Sequence, residues 1–213
     1  LASAPAPGKL KVKEKQFSPG LAIRFKKTDQ THLCLGVRGF DIFSDQKYIL
    51  EIIAALLGGM MSSRLFIEVR AKRGLAYYLK TSADAYTDTG YLVTRAGIAN
   101  SRLIEAVTVI CRELHRLKTT PVTGAELKKV KENLRGRFRL GLETSDQFAT
   151  FLGLQEILER KILTPEEKWR QIAKIKPDDI LKLAREVFRP QRLNLAVVGP
   201  HRNKKEILKV LKI

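Results

Sequence analysis

Arg70 and Tyr77 are two polar side chains whose chemical groups and separation would allow them to bind one ligand together. They lie in the segment 58–78, which reads GGMMSSRLFIEVRAKRGLAYY. The pattern predicts a helix that ends at Gly74, with Arg70 in its last turn and Tyr77 at the start of a strand. A guanidinium can bind a peptide carbonyl or a carboxylate, and a phenol can donate a hydrogen bond to a developing oxyanion.

A structural interpretation of the same two residues is also open. The positive charge of Arg70 would interact favourably with the C-terminal end of its helix, and the side chain of Tyr77 would cover the edge of a sheet. On spacing alone this second interpretation is the stronger one. The sequence contains no nucleophile elbow, phosphate-binding loop or His-x-x-Glu-His motif, and nothing pairs the carboxylates of Glu68, Asp84 and Asp88. A self-contained active site is therefore not visible.

The elements that would position these residues follow from hydrophobic periodicity. Alternating apolar residues predict strands at 21–26, 33–37, 77–86, 91–97 and 193–198. Helical spacing predicts a helix over 47–57, a second that Ser62 or Ser63 caps, and several from position 100 to 190. Thr123 and Thr164, each followed three residues later by Glu, predict capping boxes. The expected fold is α+β, with a mostly antiparallel sheet covered by helices on one face.

Charge and composition narrow the classes of function. The chain has 213 residues, with 40 Lys and Arg against 22 Asp and Glu, and a net charge of +18. Because the basic residues are dispersed and no zinc-finger spacing or RNA-binding motif accompanies them, a solvated basic surface is favoured over nucleic-acid binding. No apolar run is long enough for a membrane span. Cys34 and Cys111 lie among apolar residues and are expected to be buried.

The N-terminal residues suggest that this chain is part of a longer protein. It begins with Leu1 rather than Met, and the Ala-, Pro- and Lys-rich residues 1–18 resemble a linker. We expect residues 19–213 to form a single domain. Besides a solvated basic surface and nucleic-acid binding, the positive charge has a third explanation. This basic portion would dock against an acidic portion of the protein that is missing here.

The segment 57–77 resembles the signature of the pitrilysin/insulinase-type zinc metallopeptidases, which include the mitochondrial processing peptidases and the respiratory core proteins. The matching residues are Leu57–Phe66 and Val69–Tyr77. The chain is most similar to the C-terminal, metal-free half of the two-domain bacterial members. The similarity continues through Thr31–Gly36, through Gly90–Leu92 with Ala96 and Gly97, and through Leu193–Gly199.

The resemblance implies a fold, a partner and two site residues. Members of this family are built from two similar halves that clamp an unfolded peptide. The first half holds zinc through His-x-x-Glu-His and a downstream Glu, and the second supplies an Arg/Tyr pair near the scissile bond. The matching positions here are Arg70 and Tyr77. The acidic residue that usually follows that Arg is replaced by Ala71, and no metal ligand carries over.

The predicted function is therefore the substrate-binding half of a zinc metalloendopeptidase, inactive by itself. Zinc is expected in the complementary N-terminal half or partner subunit, and no cofactor is expected in this chain. The assembly would be a two-domain or dimeric clamp. Its expected compartment is the cytoplasm or the periplasm. A basic half would also attract acidic peptides. The alternatives are a catalytically inactive scaffold, a separate subunit acting in trans, and a basic nucleic-acid-binding module.

Overall fold

A five-stranded sheet forms the centre of the molecule. The computed structural model describes residue 12 and residues 15–213, so most of the predicted linker at 1–18 lies outside the described residues. The strand order is β1-β5-β2-β4-β3, in which β1 and β5 are parallel and all other neighbours are antiparallel. The strands are β1 (Gly20–Phe25), β2 (Gln30–Arg38), β3 (Ala76–Ala85), β4 (Gly90–Ala99) and β5 (Leu193–Gly199).

Helices cover one face of this sheet, which confirms the predicted α+β architecture. They are α1 (Gln46–Gly58), the π-helix α2 (Phe66–Ala71), α3 (Leu103–Thr119), α4 (Gly124–Leu140), α5 (Ser145–Leu154), α6 (Pro165–Ala173), α7 (Pro177–Val187) and α8 (Lys204–Val210). In the part of the chain that the structure describes, no helix has the length and apolar character needed to cross a membrane.

Burial of apolar side chains holds the helices on the sheet. Leu33 and Leu35 of β2 point into the core, as do Ile52 and Ile53 of α1 and Phe188 after α7. Because side chains alternate along a strand, the intervening residues of each strand point away from the helices. We call this second surface the open face; His32, Cys34, Tyr78, Lys80 and Arg95 lie on it, as the strand register places them.

The expectation that both cysteines are buried is wrong for Cys34. Cys111 lies in the core, whereas Cys34 is exposed. The apolar neighbours Leu33 and Leu35 suggested a strand buried on both sides. Only their face is buried, because no described helix packs against the open face of β2.

One of the two predicted capping boxes is confirmed, and the other forms only in part. Thr164 and Glu167 form the full reciprocal box at the start of α6. At α4, Thr123 accepts the Glu126 N–H at 3.2 Å, but the Glu126 carboxylate binds Arg64 instead of returning to the helix. A tertiary ion pair has replaced the local bond, which sequence spacing does not reveal.

Candidate functional site

Arg70 and Tyr77 lie at opposite ends of the short connection between α2 and β3. Two backbone hydrogen bonds close this connection: the Gly74 N–H donates to the Arg70 carbonyl at 3.1 Å, and the Leu75 N–H donates to the Val69 carbonyl at 2.8 Å. Gly74 has φ of 60°, a conformation that glycine adopts without strain. The helix ends at Ala71, three residues before the predicted end, and Gly74 turns the chain toward β3, so Arg70 and Tyr77 lie on either side of this corner.

The helix before this corner differs from the prediction. Residues Phe66–Ala71 form a π-helix, in which the Lys72 N–H donates to the Ile67 carbonyl five residues back. Ser63 does not cap it, since its hydroxyl donates to the Met60 carbonyl. A π-helix winds more widely than an α-helix and often occurs at functional sites. Its extra residue changes the direction in which Arg70 leaves the helix.

Arg70 is exposed and rests on an aromatic ring. Its guanidinium carbon lies 5.1 Å from the centroid of the Phe66 ring, which is a cation–π distance. Within the described residues no carboxylate forms an ion pair with Arg70, and Ala71 beside it is exposed. Phe66, four residues earlier in the chain, therefore lies against the guanidinium. Phe66 is not among the site residues predicted from the sequence.

Glu68 organises the basic residues around the end of α2. Its carboxylate accepts from Lys72 Nζ at 2.7 Å and from Arg73 Nη1 at 2.6 Å, and Arg112 Nη2 lies 3.5 Å away. The hydrogen bonds from Lys72 and Arg73 lower the pKa of Glu68 to about 2. The carboxylate of α2 is thus engaged by other cations, and no described carboxylate forms an ion pair with Arg70.

The Glu68 cluster predicts a loss of stability in acid. Because the folded-state pKa lies below the unfolded value, the stabilisation is present above about pH 4.3 and disappears as pH falls through about 2. After allowing for the exposure of Lys72 and Arg112, we expect about 1–2 kcal/mol at pH 7. Urea unfolding of the wild type and Glu68→Gln should differ by this amount at pH 7 and converge toward pH 2. An undiminished difference at pH 3 would contradict this account of Glu68.

Tyr77 points into solvent because of a bulge in β3. The register with β4 pairs Ala76 with Ile98 and Tyr78 with Gly97, which leaves Tyr77 as an extra residue. Two successive tyrosines are therefore exposed, Tyr77 by 58% and Tyr78 by 43%. In a regular strand one of them would point into the core. The phenol of Tyr77 makes no hydrogen bond to any other described residue, so its hydroxyl is available.

Tyr78 and His32 meet across Gly97 on the open face. His32 of β2 and Tyr78 of β3 are the two register partners of Gly97. Their rings are stacked with centroids 6.1 Å apart, and His32 Nδ1 lies 3.0 Å from the Tyr78 hydroxyl. A Cβ at position 97 would lie 2.8 Å from Tyr78 Cδ1, so only glycine leaves room for this ring. The pair lies beside the bulge at Tyr77, and the spacing within one strand does not predict it.

The chain segment before α2 is fixed by a bidentate ion pair. Arg64 Nε and Nη2 donate to the two carboxylate oxygens of Glu126, both at 2.8 Å. Hydrogen bonding to Arg64 lowers the pKa of Glu126, and the same bond raises the pKa of Arg64. Because both side chains are largely buried, this fork ties the start of the Arg70-bearing segment to α4.

The two predicted site residues thus share one corner but do not touch. Arg70 contacts Phe66, and no contact joins its side chain to Tyr77 among the described residues. Within residues 15–213, no three His, Cys, Asp or Glu side chains are grouped as metal ligands would be. A guanidinium and a phenol, both exposed at the same corner, can together donate hydrogen bonds to a single extended ligand.

Comparison with known proteins identifies the family. Residues 1–134 match the family model described as the peptidase M16 inactive domain. A protein of Mycobacterium leprae named as an uncharacterized zinc protease is 33% identical over 195 residues, which cover 92% of this chain and 44% of that protein. The chain therefore spans less than half the length of this relative.

Solved structures share the same fold. A protease from Helicobacter pylori matches with a TM-score of 0.82 and 23% identity, over 93% of this chain and 48% of that one. A peptidase M16 inactive domain from Pseudomonas fluorescens matches with a TM-score of 0.80 and 18% identity, over 94% and 48%. These structures show the shared fold, and the family match over residues 1–134 shows that the chain belongs to the peptidase M16 inactive-domain family.

Proposed function

We propose that this domain is the metal-free, substrate-binding half of a zinc metalloendopeptidase, and that Arg70 and Tyr77 contact the substrate near the bond to be cleaved. The observation that carries the proposal is their shared exposure at the corner between α2 and β3, where each has hydrogen-bond donors that no other described residue uses. The names of the relatives support the reaction class, since they are called zinc proteases.

The two side chains would have different tasks. The Arg70 guanidinium offers a planar set of N–H donors that suits a peptide carbonyl or a carboxylate. The Tyr77 hydroxyl would donate to the carbonyl oxygen as it gains negative charge, and an interaction that strengthens toward the transition state accelerates the reaction. Phe66 beneath Arg70 and the bulge beneath Tyr77 would hold the donors in place before the substrate arrives.

The zinc site belongs, in this proposal, to a complementary half carried by the same protein or by a partner subunit. Zinc bound there would polarise the carbonyl and activate the attacking water. The length of the relatives is consistent with such a half, because this chain covers only 44–46% of the first two. Neither half alone would hold both the nucleophile and the Arg/Tyr donors.

A reconstitution experiment tests the proposal. The hydrolysis of a quenched-fluorescent peptide library would be measured with zinc, first with this domain alone and then with the complementary half added. We expect activity only in the mixture, and its loss on addition of a chelator. No hydrolysis by a correctly associated pair would contradict the proposal and favour the inactive scaffold. Salt-sensitive binding to a generic DNA duplex without peptidase activity would favour the nucleic-acid-binding module.

A further inference from the structure

Two cations face each other on the open face of the sheet. Lys80 of β3 and Arg95 of β4 are direct register partners, and both side chains are exposed. Directly opposed residues in an antiparallel pair have Cβ atoms about 4.5–5.5 Å apart, and like charges at that separation are destabilising. A protein that keeps such a pair at this position gives up some stability there.

No carboxylate among the described residues neutralises this pair. Asp84 is the single acidic residue in the five strands, which also carry the four cations Arg24, Arg38, Lys80 and Arg95. Asp84 lies four residues along β3 from Lys80, about 13 Å away, and accepts a hydrogen bond from Ser82 at 3.3 Å. Neither Lys80 nor Arg95 forms an ion pair with any described carboxylate. Their charges are therefore uncompensated within the described residues.

The surface beside the pair has room for a ligand. A cavity of about 640 Å³ lies on the open face, and Arg95 is part of its lining. Part of its lining consists of small residues, among them Cys34, Gly36 and Ala196. The size of this cavity falls within the usual range for ligand sites, about 300–1,000 Å³. Small side chains between cations allow an extended peptide to approach the sheet closely.

We propose that Lys80 and Arg95 form a binding site for the carboxylate of an Asp or Glu side chain of the peptide substrate. The inference rests on the proposed function, because it assumes that the peptide contacting Tyr77 continues over the open face. Arg95 would provide a fork of N–H donors and Lys80 a compact charge, and the bound carboxylate would remove their mutual repulsion. Lys80 follows Tyr78 by two residues on the same face, about 7 Å along the strand. The preferred acidic residue would therefore lie within a few positions of the cleaved bond.

The test measures selectivity in the protein that contains both halves. A peptide series carries Glu at successive positions, and each member is matched by the isosteric Gln peptide. We expect a Glu/Gln ratio of kcat/KM of about 10 or more at one position, and a fall of about tenfold in that ratio in the double variant Lys80→Gln, Arg95→Gln. Arg24→Gln is the matched control, since it removes one charge from the same face three strands away and should leave the ratio unchanged.

Further measurements complete the test. The Glu/Gln ratio of the wild type should fall as salt is raised, and the double variant should melt no lower than the wild type, because repulsion has been relieved. An unchanged ratio in the double variant overturns the inference, as does an equal fall in Arg24→Gln. If the double variant made the two halves dissociate while its Glu/Gln ratio stayed unchanged, the inference would also be wrong, because Lys80 and Arg95 would then bind the complementary half. A failure of the proposed function is read separately, from Arg70 and Tyr77 variants that do not slow the cleavage of any peptide.

Discussion

Tyr77→Phe and Arg70→Ala should each lower kcat of the assembled peptidase about 30-fold, which corresponds to about 2 kcal/mol of lost transition-state stabilisation. The reason is that each change would remove a donor that, in the proposed function, contacts the reacting peptide, while leaving the fold intact. Tyr77 is 58% exposed, and its hydroxyl bonds to no described residue, so deletion of that oxygen costs the domain little stability. Steady-state kinetics on one peptide, with a thermal melt of each variant, measures both effects.

Two control variants distinguish an effect at the proposed site from the effect of removing the same kind of side chain elsewhere on the surface. Tyr86→Phe removes the hydroxyl of a tyrosine that is 50% exposed just beyond β3, at the end opposite the bulge. Arg102→Ala removes an exposed arginine that forms an ion pair with Glu105. Both controls should retain kcat within a factor of two. If the Tyr77 and Arg70 variants behaved like these controls, the assigned substrate contacts would be wrong.

Gly58→Val should destabilise the domain by about 3 kcal/mol, because the helix α1 ends directly against β3. A Cβ at position 58 would lie 2.8 Å from the Thr81 backbone nitrogen and would also collide with the Thr81 hydroxyl. That hydroxyl is paired with Thr94 at 2.9 Å in the buried layer, so neither atom can move without breaking a contact. Chemical denaturation gives the change in the free energy of unfolding.

Gly136→Ala is the control for Gly58→Val, because a side chain added at position 136 is expected to stabilise the domain. Gly136 lies within α4, is exposed, and has no atom within 4 Å of the position that a Cβ would take. Alanine there should raise the free energy of unfolding by about 0.5–1 kcal/mol, since glycine is a poor helix former. A Gly58→Val protein as stable as the wild type would mean that α1 can shift away from β3 without loss.

The fold could be predicted from the sequence because its elements follow local rules. Alternating apolar residues located all five strands, and helical spacing located α1 within one residue of its observed ends. The capping box at Thr164 and Glu167 was predictable for the same reason, since it involves residues only three apart. Each of these features depends on residues that are close in sequence, and the hydrophobic face then dictates the layer to which each element belongs.

The details of the candidate site could not be predicted in the same way. The bulge at Tyr77 depends on the register between β3 and β4, and the room for the Tyr78 ring depends on Gly97. The partner of Glu126 is Arg64, 62 residues earlier in the chain. These contacts join elements that are distant in sequence, so spacing within one segment carries no information about them. The exposure of Cys34 was missed because a single strand does not show which of its faces is covered.

The sheet order also affects how the chain can fold. β5 follows the other four described strands in the chain, yet it lies between β1 and β2 and pairs residues that are far apart in sequence, such as Leu21 and Leu195. Until residue 199 is available, β1 has no neighbour and β2 presents an unpaired edge. Pairings of such long sequence separation form slowly, because the entropy of closing a large loop must be overcome first. The nascent domain therefore exposes a strand edge throughout most of its synthesis, and only the final strand removes this site of aggregation.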